Sequence, residues 1–317
     1  MRSRFGKNPA GLAVIVAALA LIGCAAQPRL PERLDFQSRC RAAEAVRCFG
    51  FDSASDTDPH VYPPWGFTQK RAAVVHDVKA SGAGSLRFEI PSNSGSDSSG
   101  SFWLNFADDF SVQFGERQEF YVQWRQRFSP ELLNTRYAGG GGWKQIIIGE
   151  GDRPGFTADS CTQLEIVLTN ADYLGAPTMY HSCGGKDGQF EGLFAARSMS
   201  YEPNEWMTFQ VHVKIGTWYR NDGSYHQDST VQLWMGREGQ PSKLVVDLSP
   251  EPGTVFGLSI PGSGNGYDLA NSDPAAKYGK VWLLPYNTHK DPTESHPVGY
   301  TWYDDLIIAR KKIPDPY

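Results

Sequence analysis

Hydrophobic and polar residues alternate along this 317-residue chain in short runs. In Phe209-Gln210-Val211-His212-Val213-Lys214-Ile215 the apolar side chains hold the odd positions and the polar ones the even positions, the period of two that turns one face of a strand toward a core. Residues 163–169 repeat the pattern, with Leu164, Ile166 and Leu168 inward and Gln163, Glu165 and Thr169 outward, and residues 119–128 align Tyr121, Gln123, Arg125 and Arg127. Further β-branched and aromatic runs at 86–90, 101–106, 143–148, 208–215, 230–235, 244–248, 280–286 and 300–309 are bounded by Gly, Pro, Asn, Asp and Ser. With no long helical stripe and no internal repeat, the pattern predicts an all-β chain of about ten to twelve strands in one antiparallel sandwich.

One run is ambiguous. Ile146, Ile147 and Ile148 are apolar in either register, so alternation leaves open whether Trp143 or Lys144 faces solvent. Two loops stand out: the Ser- and Gly-rich segment 91–101, expected to be flexible, and the glycine run 139–142, where backbone can approach a ligand closely. Pro285 breaks a strand and delivers four polar groups, Asn287, Thr288, His289 and Lys290, into a loop able to overhang a groove.

Composition narrows the class. The 33 Gly and 21 Pro exclude a helical bundle, while 40% hydrophobic and 21% charged residues exclude global disorder. The net charge is −5, which argues against a nucleic-acid partner.

The N-terminus reads as an address. Basic Arg2, Arg4 and Lys7 precede an apolar run over 10–22 that is too short to span a bilayer, so residues 1–23 are expected to be a secretory signal. Leu21-Ile22-Gly23-Cys24 resembles the lipobox of bacterial lipoproteins, which implies acylation of Cys24 and a membrane contact through that anchor alone. Ala25 stands where inner-membrane lipoproteins of such families carry a retention aspartate, so the expected destination is the outer membrane of the cell envelope. Residues 24–47 are then a tether with one helical turn at 41–47, and 48–317 a single domain, expected to be a monomer. Export suits the remaining cysteines, Cys40, Cys48, Cys161 and Cys183. Of three pairings, the short loops favour Cys40 with Cys48 and Cys161 with Cys183, and no spacing resembles a zinc site.

The outward ladders carry Arg, Gln, Glu, His, Lys and Tyr beside Trp, residue types that stack on sugar rings and bind hydroxyls or carboxylates. Together with Trp143-Lys144-Gln145-Ile146, the stretch 206–212 and the closing Tyr300-Thr301-Trp302-Tyr303-Asp304-Asp305, they resemble the concanavalin A-like jelly rolls of the lectin and glucanase superfamily, especially its secreted polysaccharide-lyase-like branch. The resemblance covers residues 49–317 and implies two curved sheets with a concave, polysaccharide-binding groove. It requires no cofactor, and it makes Asp52 and Asp304 candidates for a structural calcium. Gln145-Ile146-Ile147 lacks the histidine of the alginate-lyase strand, and the Glu-x-Asp-x-x-Glu strand of laminarinase-type hydrolases is absent, so elimination ranks above hydrolysis.

β-Elimination of a uronate needs a group to neutralise the carboxylate, a base for the C5 proton and an acid for the leaving oxygen. The candidates are Arg125 or Gln145 for the first, His212 or His181 for the second and Tyr286 for the third. Lys214, Gln210, Glu165, Gln163, Tyr121, Trp143, Lys144, Asn287 and His289 are the candidate substrate contacts. A non-catalytic glycan-binding lipoprotein and a structural envelope protein are the competing readings.

Overall fold

The computed structural model describes residues 35–56, 61–62, 71–151, 162–169, 176–182, 200–219, 221, 224, 226–251, 254–255, 258–259, 264–271 and 273–316. Cys24, Cys161 and Cys183 lie outside them, and with them the lipidation site and the second expected disulfide.

Two antiparallel sheets face each other. The larger, sheet A, has eight strands: β1 (Ala45–Phe49), β3 (Ala72–Val75), β4 (Ser85–Ile90), β6 (Glu119–Phe128), β10 (Met207–Lys214), β11 (Thr230–Gly236), β12 (Lys243–Leu248) and β16 (Gly299–Ala309). Its order is β12-β11-β10-β6-β16-β4-β3, with β1 also on β16. Sheet B has the order β2 (Val61–Tyr62), β5 (Ser101–Asn105), β15 (Tyr278–Leu283), β7 (Trp143–Glu150), β8 (Gln163–Thr169), β9 (Ala176–Ser182). A small hairpin, β13 (Thr254–Val255) and β14 (Leu258–Ser259), stands apart. The core between the sheets is made by alternate residues, among them Phe209, Val211 and Val213 from β10 and Ile146 and Ile148 from β7. This is the expected sandwich.

Strand β16 pairs with β6 along one edge and is shared along the other, first by β4 and then by β1. The register with β6 shifts between Asp304 and Ile307, where Asp305 takes a left-handed φ of 50°. This bulge re-aims the second half of the strand.

What covers the outer face of sheet A corrects the expectation of a tether. Residues 36–47 are structure: α1 (Phe36–Ala42), capped by Asp35 accepting from Ser38 N, turns directly into β1, and a Cys40–Cys48 disulfide joins the two. Helix α1 takes the place of the helical turn expected at 41–47. Cys40 and Ala43 pack with Ile307, Ala309 and Ile313, so helix and C-terminal segment lie together on the sheet.

The polar ladder beneath them is dry. Gln210 accepts from Ile313 N at 2.7 Å and donates to Ile313 O at 3.2 Å, and Gln123 donates to Pro314 O at 3.2 Å while accepting from the Arg39 guanidinium. Arg39 is buried and ion-paired with Asp305. A candidate sugar-binding face thus docks α1 and the C-terminal segment, and its amides satisfy backbone that would otherwise be buried unpaired.

Candidate functional site

The outer face of sheet B holds a different cluster, and a bulge creates it. With Ile146 and Ile148 in the core, strict alternation would send Lys144 inward and strand its ammonium there. The register instead moves from Lys144 opposite Val167 to Ile146 opposite Ile166, which makes Gln145 the extra residue and reverses the phase. Lys144 emerges on the outer face, and Trp143 enters the core. Gln145 also turns inward, donating to Tyr201 Oη, while its carbonyl accepts from Tyr303 Oη at 2.8 Å. It is therefore removed from the candidates for binding a substrate carboxylate, and Trp143 from those for stacking on a sugar.

On the neighbouring strands, period two brings Glu165 outward from β8 directly opposite Tyr180 of β9. Lys144 Nζ lies 2.6 Å from Glu165 Oε2, and Tyr180 Oη donates to the same oxygen. Tyr286 completes the group. Its ring centroid is 5.4 Å from Lys144 Nζ, and its carbonyl accepts from Lys144 N at 2.8 Å, carrying the β15–β7 pairing past Pro285. Burial, and then the charge of Glu165, push the Tyr180 phenol well above the usual tyrosine range, so it stays a proton donor through neutral pH.

Beside this polar group lies an apolar strip of Ile147, Trp282 and Leu284, flanked by Trp103 and Tyr286. Trp103 and Trp282 sit directly opposite each other on β5 and β15. Gln163, two residues from Glu165, shares the face. Sequence reasoning found Lys144, Glu165, Gln163 and Tyr286 separately and missed Tyr180 and the two tryptophans. The signal for Tyr180 was the alternation of residues 176–182, in which Met179 and His181 point inward.

The remaining candidates are dispersed. His181 is 1% exposed with neither ring nitrogen hydrogen-bonded among the described residues, and burial lowers its pKa to about 3, which sets it apart from an accessible base. His212, Lys214, Tyr121 and Arg125 belong to the outer face of sheet A, across the sandwich from Tyr286, and cannot share one sugar with it. His212 stacks on Tyr121 at 4.2 Å and lies 3.0 Å from both Gln232 Oε1 and Glu119 Oε2. Arg125 borders the loop at Ala80, whose carbonyl accepts from it at 3.4 Å.

Asn287 organises loops: it donates to Gly140 O at 3.1 Å and accepts from His289 N at 3.0 Å, leaving His289 exposed. A Cβ on Gly139 would fall 1.6 Å from His289 O, so the glycine run admits a neighbouring loop to close contact. The 91–101 segment, expected to be flexible, is tied by Lys290 Nζ donating to Ser94 O at 2.6 Å and Asn93 N donating to Glu294 O at 2.9 Å.

The two calcium candidates brace another loop. Asp304 accepts from Ala80 N at 2.8 Å and Ser81 N at 3.1 Å, and Asp52 accepts from Ala83 N. Burial, with Asp305 beside it, raises the Asp304 carboxyl to about 8. Among the described residues no group of three metal-ligating side chains occurs.

No family model and no curated protein matches the chain. Solved structures do. An alginate lyase of polysaccharide lyase family 14 from Aplysia kurodai aligns over 84% of this chain and 99% of its own at 12% identity, with a TM-score of 0.50. An endo-β-1,4-glucuronan lyase from Trichoderma reesei aligns over 78% and 91% at 12% identity, TM-score 0.48. The binding domain of botulinum neurotoxin serotype G aligns over 85% and 48% at 9% identity, TM-score 0.44. The likeness is one of fold. A fold does not fix an activity, so function rests on the site.

Proposed function

We propose that the protein is a polysaccharide lyase that cleaves an acidic, uronate-containing glycan by β-elimination at the Lys144–Glu165–Tyr180 cluster. The observation that carries this reading is the single carboxylate oxygen of Glu165 that meets both a lysine ammonium and a tyrosine hydroxyl. Lys144 binds the uronate carboxylate and so acidifies the C5 proton. Glu165 takes that proton, the electron pair becomes the C4–C5 double bond, and the bond from C4 to the glycosidic oxygen breaks. Tyr180 protonates the departing oxygen. The hydrogen bond between Tyr180 and Glu165 then returns the proton from the new carboxyl to the phenolate, restoring both groups. Trp103 and Tyr286, partly buried against Trp282, offer ring faces for the flanking sugars. A retaining hydrolase would need a second carboxylate about 5 Å from the first; the described residues bring a lysine and a phenol to Glu165 Oε2.

The lipobox-like Leu21-Ile22-Gly23-Cys24 supports export and tethering to the outer membrane, which would set the enzyme at the cell surface or in the periplasm beside its polymer. Incubation with a panel of uronate and neutral polysaccharides tests the reading. Ultraviolet absorbance of the conjugated product is expected to rise with a uronate polymer only. Retention on such a polymer without any rise would make the protein a tethered glycan-binding module.

A further inference from the structure

We infer a second, non-catalytic binding surface for an acidic glycan on the outer face of sheet A, centred on the row Arg87–Trp302–Arg127. The register places Trp302 of β16 directly between Arg87 of β4 and Arg127 of β6. Both guanidiniums lie over aromatic rings: Arg87 Cζ is 5.3 Å from the Tyr300 centroid and Arg127 Cζ 6.0 Å from that of Trp302. Such stacking holds a guanidinium flat and keeps its edge available for bidentate contacts.

The charge is unanswered. Arg71 is paired with Glu89 at 3.0 Å, Arg39 with Asp305, and Arg125 lies 3.7 Å from Glu238. Among the described residues Arg87 and Arg127 meet no carboxylate; Arg127 donates only to the Asn204 side-chain oxygen at 3.3 Å. Arg87 Nε, Arg127 Nε and Trp302 Nε1 have no hydrogen-bond partner there either. In a chain of net charge −5, two half-buried, uncompensated cations on one flat row call for an anionic partner.

The row selects the kind of anion. Arg87 and Arg127 stand two strand spacings apart, about 10 Å, a separation that two residues of an extended pyranose chain can bridge. Guanidiniums suit carboxylates, and the half-exposed Tyr300 ring suits a sugar face. The surface lies across the sandwich from Lys144 and shares with the proposed lyase site only the class of polymer. Its role would be to hold one part of a long chain while another is cleaved.

The test uses the full chain carrying Lys144→Met, so that polymer is not consumed. Arginines are modified with phenylglyoxal and mapped by mass spectrometry, alone and with alginate, a neutral β-glucan or single-stranded DNA. Alginate is expected to slow modification of Arg87 and Arg127 about tenfold, a gain typical of charge-assisted contacts, with the glucan and DNA leaving it unchanged. Retardation in alginate-containing gels should be lost in Arg87→Gln/Arg127→Gln. Absence of protection, or equal protection by the glucan or DNA, would overturn the assignment; because protection is read on the unsubstituted surface, a misfolded double variant does not obscure it. Elimination from short uronate oligosaccharides, measured in the parent chain, scores the Lys144 site separately.

Discussion

Replacing Tyr180 with Phe removes one oxygen from the site and leaves the ring in place. In the proposed reaction that oxygen supplies the proton to the departing sugar and later recovers it from Glu165. A positioned acid contributes about 10²–10⁴ in rate, or about 3–5 kcal/mol of barrier. The loss should therefore fall on kcat, with KM little changed. Stability should suffer less than the about 1.5–3 kcal/mol of a hydrogen bond to a charged group, because Glu165 keeps Lys144 at 2.6 Å. Initial rates from product absorbance, with urea unfolding of the same variant, separate the two effects. Since burial and Glu165 raise the phenol above its ordinary range, Tyr180 should cause no alkaline loss of activity below the normal tyrosine pKa. A Tyr180→Phe enzyme with kcat within about threefold of the parent, below the smallest usual contribution of such an acid, would refute the assignment.

Other consequences are structural. Gln210→Leu strands Ile313 N beneath α1, while Ile313 O keeps Gln123 Nε2 at 3.4 Å, and should cost about 1–3 kcal/mol for the one group so left, read by urea unfolding, with KM unchanged. An increase in KM with stability intact would return Gln210 to the substrate contacts. His181, buried as the neutral ring with its pKa down near 3, contributes stability that is full above its unfolded value near 6.5 and is lost as pH falls toward 3. His181→Leu should flatten this acid limb, whose full height is on the order of 5 kcal/mol; an unchanged pH profile of unfolding would argue that the ring is hydrated. Cys40→Ser opens the disulfide that ties α1 to β1 and should cost about 2–3 kcal/mol by loop entropy, seen as a lowered Tm that a reductant no longer alters.

The sandwich could be read from the chain because most strands bury one face and declare it. Residues 209–215 and 163–169 fall where alternation puts them, down to the side chains that enter the core. Three features broke that rule for physical reasons. The bulge at Gln145 reverses the phase of β7, so a run of isoleucines that fits either register conceals a lysine at the site. The ladder of Gln123 and Gln210 looks solvated because amides usually are, but buried amides also serve to seat irregular backbone, and here they seat the C-terminal segment. Strand β1 follows a short helix in a polar stretch that carries no alternation, and its place depends on β16, more than 250 positions away. Tyr180 and Glu165 face each other only because β8 and β9 pair, which no local pattern states.

The most direct test of elimination follows the glycosidic oxygen. A uronate polymer is digested in water enriched in heavy oxygen, and the fragments are weighed early, before the reducing ends exchange. The account predicts new reducing ends without solvent oxygen, because the bond to C4 breaks, and non-reducing ends one water lighter than a hydrolytic product. Fragments that carry solvent oxygen at C1 and no unsaturation would mean hydrolysis and contradict the reaction assigned to Lys144, Glu165 and Tyr180.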